Sequence, residues 1–112
     1  MTVKYVRFIE GAILATTIAT YYTAPAGTKA VIKKLTFCNN NTDPVSVAVF
    51  LVPAGGSVDP KNLLVVQQPL APAETFDCFA ALLHVLEPGD SLQAIASVEN
   101  AINIMASGIE IQ

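Results

Sequence analysis

The sequence predicts an all-β fold: a single antiparallel β-sandwich of seven or eight short strands, with Greek-key or jelly-roll-like links. Three observations predict it. Turn signals recur at short intervals and hold all seven prolines, at Ala24-Pro25-Ala26-Gly27, Asn39 to Pro44, Pro53 to Gly56, Asp59-Pro60, Pro69 to Pro72 and Glu87 to Asp90. Runs rich in β-branched residues fill the intervals. No helical periodicity extends beyond about two turns.

Taken in order, Lys4 to Ile9 and Ile13 to Thr23 are the weaker opening strands. Residues 1–23 are assigned to an N-terminal arm or edge strand and residues 24–112 to the sandwich domain. Ala30 to Cys38 places Val31, Leu35 and Phe37 on one face and turns Lys34 and Thr36 away. Val45 to Val52 carries β-branched residues at alternate positions, with Ala48 and Phe50 on its other face, which predicts a central strand covered on both sides. Leu63 to Gln67 and Thr75 to Phe79 are weak strands, and only Phe79 to Leu86 reads as locally helical.

Beyond Pro88-Gly89-Asp90, Ser91 to Val98 sets Leu92, Ala94, Ala96 and Val98 on one face. The final run sets Ile102, Ile104 and Ala106 on one face but Ile109 and Ile111 on the other. This predicts a bulge near Gly108.

A chain of 112 residues fits one domain and buries enough surface to need no metal or disulfide staple. Charged residues make up 13% against about 25% in ordinary soluble domains, while 53% are hydrophobic. Apolar surface must therefore be covered by something, which predicts self-association as a homo-oligomer. A standard interface of about 1,600 Å², half of it apolar, gains about 20 kcal/mol gross against an association cost of about 4 to 15 kcal/mol.

All six bases lie in the first 61 residues against three acids, and the remaining residues hold six acids and no base. Either a basic face of one subunit steers onto an acidic face of the next, or strands of the two halves interleave and the signs mix. The acidic balance argues against nucleic acid as a partner. Glu10 and the recurring threonines interrupt the apolar stretch after Arg7, which argues against a signal peptide. No apolar run reaches the roughly 20 residues of a membrane span.

Little in the sequence carries chemistry. His84, the sole histidine, sits in Leu82-Leu83-His84-Val85-Leu86 and reads as a structural residue, so no catalytic residue is assigned. Glu87 with Asp90 and Glu74 with Asp77 read as solvated turn acids, and Gly55-Gly56-Ser57 as a turn without the lysine of a phosphate loop. Cys38 and Cys78 lack metal or redox spacing and read as free, buried thiols, with a bridge open if their strands are neighbours. No metal and no cofactor is expected.

The aromatic residues are the candidates for contact. Tyr5, Phe8, Tyr21 and Tyr22 cluster ahead of the strongest strands and are the candidate intersubunit contacts. The alternative is that Tyr21 and Tyr22 close an edge of their own sandwich.

Several segments together carry a resemblance. They are Tyr21 to Ile32, Cys38-Asn39-Asn40, Val45 to Pro53 with Gly55-Gly56, Leu70 to Thr75, His84 to Leu92, and Ala106-Ser107-Gly108. Over about residues 20 to 110 the chain resembles the small β-sandwich virion proteins of tailed bacteriophages. The resemblance implies a non-enzymatic structural protein, a capsid cement or decoration protein that contacts itself and other virion proteins such as the major capsid or tail proteins. It implies a place in the virion, assembled in the bacterial host cytoplasm. The alternative is a neck, tail or fibre component acting as a receptor- or carbohydrate-binding module, with polar loops at Asn39 to Asp43 and Gly55 to Asp59; the absence of tryptophan weighs against it.

Overall fold

A computed structural model describes all residues, 1–112. Nine strands form it: β1 (Val3–Ile13), β2 (Ala19–Thr23), β3 (Lys29–Asn39), β4 (Val45–Val52), β5 (Leu63–Leu70), β6 (Thr75–Asp77), β7 (Val85–Leu86), β8 (Ser91–Ala96) and β9 (Ile102–Ile111). One sheet has the order β1-β9-β3-β6, with β7 also on β3, and the other the order β2-β8-β4-β5. Every pairing is antiparallel.

β6 and β7 lie against the same strand, at Thr36–Cys38 and Ala30–Val31 of β3, so they act as one interrupted strand. Eight strands then remain. The first pairs with the last, the second with the seventh, the third with the sixth and the fourth with the fifth. That is the connectivity of a jelly roll.

The two sheets enclose one core, in which Leu14, Ile32, Leu35, Phe37, Leu70 and Leu92 are almost fully buried. β4 is central, between β8 and β5, as its alternation predicts. Only its Val45, Val47 and Val49 face is buried, and within this chain nothing lies over the half-buried Ser46, Ala48 and Phe50.

The first 23 residues supply two edge strands, β1 on one sheet and β2 on the other, separated by a turn where an unbroken strand from Ile13 to Thr23 was expected. Phe79–Ala81 is a single 3₁₀ turn leading to β7, not a longer helix. The anticipated bulge is absent from β9, whose burial alternates without a break from Ile102 to Ile111. Its neighbours bulge instead, β1 between Arg7 and Ile9 and β3 between Ile32 and Lys34. The inner face of β9 thus ends in Gly108 and Glu110, and the isoleucines Ile109 and Ile111 keep to the outer face.

Gly108 explains why the ladder needs that adjustment. A Cβ there would lie 2.1 Å from the Val31 carbonyl oxygen and 2.6 Å from the Phe8 ring. Only glycine admits so close an approach.

Candidate functional site

The aromatic residues expected at a subunit contact divide sharply. Phe8 is a core residue, because the β1 bulge turns its ring inward over Gly108. It stacks on Tyr22 with ring centroids 4.3 Å apart. Tyr22 crosses between the sheets, its hydroxyl donating to Glu110 Oε2 at 2.6 Å. Burial, with the hydrogen bond to Glu110 and that carboxylate's charge, holds the Tyr22 phenol well above its usual pKa. Tyr21 is half-buried, and its hydroxyl accepts from the Ala15 backbone N–H at 3.2 Å. Of the four candidates only Tyr5, 85% exposed, stands free of the rest of the chain.

The remaining polar positions serve the fold. Asn39 is fully buried and its amide donates to the carbonyls of Asp43, Leu70 and Ala71, which binds the Asn39–Asp43 turn to the β5–β6 connection. Asp90 accepts from the Ala54 and Glu87 N–H groups, while Glu87 pairs with Lys29 at 3.7 Å. Glu74 accepts from the Ala71 N–H, and Asp77 meets Thr36 and Lys34. Glu99 accepts from both the hydroxyl and the N–H of Thr16, which holds its carboxyl below the usual range.

His84 is exposed on the turn before β7. Cys78 is buried and Cys38 half-buried, and both are free. No three metal-ligating side chains converge, and no helix is long and apolar enough to cross a membrane.

Charge segregates by sheet. Strands of the two halves interleave, with β9 between β1 and β3, and within this sheet the signs mix: Glu10, Asp77 and Glu110 share it with the bases, and Lys34 pairs with Asp77. Five of the six bases, Lys4, Arg7, Lys29, Lys33 and Lys34, lie on β1 and β3. In contrast, β2, β4, β5 and β8 contain no charged residue at all.

The outer face of that second sheet is built from neutral cross-strand neighbours. Ala48 lies opposite Ile95, and Phe50 opposite Gln93, which in turn lies opposite Thr20. A shallow depression of about 170 Å³ opens there between Ser46, Gln67, Ile95 and Ser97, beside the 68% exposed Val66. The sequence shows only that charge is scarce; the topology concentrates the scarcity on one sheet.

No family model matches the sequence, and no curated relative matches it either. Solved structures do. A chain of infectious bursal disease virus, Gx strain, superposes with a TM-score of 0.55 at 9% identity, over 97% of this chain and 31% of that one. The VP2 protein of the same virus, as a mutant in derived T=1 particles, gives 0.54 at 9% identity over 99% and 32%. A protein of Bacillus endospore appendages, described as disulfide-linked pili, gives 0.54 at 13% identity over 99% and 88%. The chain thus spans about a third of the viral chains it matches and most of the appendage protein. At these identities what is shared is the fold, a jelly-roll sandwich.

Proposed function

We propose that the chain is a non-enzymatic structural subunit of a bacteriophage virion, a cement or decoration protein that reinforces the particle through contacts with its own copies and with the major capsid or tail proteins. The observation that carries this reading is the four-stranded sheet without a charged side chain. A freely diffusing domain ordinarily keeps charge on every face to stay in solution, and a neutral, half-apolar sheet is the composition of a covered surface.

The jelly-roll likeness to virus chains and to an appendage protein supports the same reading, as does the sequence resemblance to tailed-phage virion proteins. Assembly in the host cytoplasm follows from that resemblance alone. The carbohydrate-binding alternative gains nothing from the geometry. Asn39, the first polar residue of its proposed loop, spends its amide on backbone carbonyls.

The test places one charge on the neutral face. Ala48→Glu leaves the interior untouched, because Ala48 points outward. The variant should fold with an unchanged circular dichroism spectrum yet lose higher-mass species in sedimentation velocity, and in a phage expressing it the protein should be missing from purified particles. An oligomeric state and incorporation equal to those of the original chain would overturn the reading.

A further inference from the structure

The five-stranded sheet presents a second surface of opposite character. Across its outer face runs one transverse row of apolar side chains: Tyr5 lies opposite Ile109, Ile109 opposite Val31, and Val31 opposite Val85. Tyr5 is 85% and Val85 50% exposed. The adjoining row holds Arg7 opposite Ser107, and the β3 bulge pushes Lys33 out beside it. These residues surround a depression of about 340 Å³ floored by Ser107 and Gly108. The only two ion pairs in the chain use Lys29 and Lys34, so neither Arg7 nor Lys33 has an anionic partner.

The complement of this surface lies on the same molecule, where it cannot reach the depression. The turns joining β1 to β2, β3 to β4, β5 to β6 and β8 to β9 gather at one end, held together by Thr16 to Glu99, Asn40 N–H to Ala101 and Ala73 N–H to Asn39. This end carries Asp43, Glu74 and Glu99 and no base. Large exposed apolar residues in these turns are Ile18 and Val98.

We propose that the basic outer face of the five-stranded sheet receives the acidic end of a second copy of this chain. Arg7 and Lys33 meet the carboxylates, and the row from Tyr5 to Val85 packs on Ile18 and Val98. The inference rests on the reading of the chain as an assembled subunit and adds where copies meet and in what sense. Face on end is not self-complementary, so each copy leaves a free face and a free end, and the contact propagates into a ring or a filament and does not close as a twofold dimer. Opposite potentials set the encounter rate and the register, and the apolar row supplies the burial.

The test is a charge swap read by sedimentation velocity on the full chain. Arg7→Glu with Lys33→Glu reverses the face, and Asp43→Lys with Glu74→Lys reverses the end. Asp43→Lys alone is the fallback, since the Asp43 side chain makes no bond that folding needs whereas Glu74 holds its turn.

Each reversed protein should associate about tenfold more weakly than the original, and an equimolar mixture of the two should assemble again. Association of the original chain should weaken as salt rises from about 50 to about 500 mM. Unchanged association of the face-reversed protein, or a mixture that stays dissociated, overturns the inference while leaving the assembled subunit intact. So does a face reversal that strips bound nucleic acid without altering association. An original chain that is monomeric at every concentration overturns both.

Discussion

The Tyr22 hydroxyl donates to Glu110 Oε2 at 2.6 Å, and this one bond joins an edge strand of the four-stranded sheet to the middle of the five-stranded sheet. Glu110 is only 8% exposed and pairs with no base, so Tyr22 is the donor that makes its burial tolerable.

Removing that donor should cost more than removing both partners. Tyr22→Phe strands a buried carboxylate and should destabilise the fold by about 2 kcal/mol, whereas Tyr22→Phe with Glu110→Leu should recover most of the loss. Urea denaturation of the two variants and of Glu110→Leu alone closes the cycle. The raised phenol pKa also sets an alkaline signature. The unfolded phenol ionises near its usual 10.0 and the folded one higher, so this contribution is complete below pH 10.0 and declines as pH rises beyond it. Tyr22→Phe should flatten that decline.

Gly108→Ala should be among the most damaging single changes, costing about 3 kcal/mol or more by thermal unfolding. Phe8→Ala should fail to rescue it. The closest obstacle is the Val31 carbonyl oxygen at 2.1 Å, and that is backbone.

Acid should loosen the end of the sandwich where Thr16 meets Glu99. The folded Glu99 carboxyl sits below its usual 4.5 because of the Thr16 hydroxyl and N–H, so the stability it gives is present above the ordinary carboxylate range and fades as pH falls through the lower folded value. Thr16→Ala should raise the acid midpoint, and Glu99→Gln should remove this component from thermal melts taken between about pH 6 and about pH 2.

The two thiols should differ in reactivity. Burial pushes the Cys78 thiol up, against the backbone donors of Ala81 and Ala80, while Cys38 is half-buried. Ellman's reagent near pH 8 should modify Cys38 within minutes and Cys78 only as fast as the protein opens. Equal rates would mean that Cys78 is not enclosed.

Much of the architecture is legible in the sequence because it rests on local signals. Prolines and glycines mark the turns, and the alternation from Val45 to Val49 places β4 at the centre of its sheet. What escapes is long-range. The reading of β9 follows its isoleucines and so turns Glu110 outward. Its true orientation depends on Tyr22, 88 residues away in sequence. Phe8 and Tyr22 look like surface anchors for the same reason, since nothing near either one announces the other. The apolar stretch around His84 does not announce its exposure either, since Leu83 and Val85 beside it are themselves 66% and 50% exposed. The segregation of charge is likewise invisible until topology sends β1 and β3 to one sheet and β4 and β5 to the other.

The placement of β9 between β1 and β3 also governs timing. As the polypeptide leaves the ribosome, its opening strand has no neighbour to hydrogen-bond with until Ile102–Ile111 has been synthesised, about 90 residues later. The nascent chain must therefore carry β1 unpaired until β9 emerges. Closure of the five-stranded sheet is then a single late event, and chaperone capture would have to act before it.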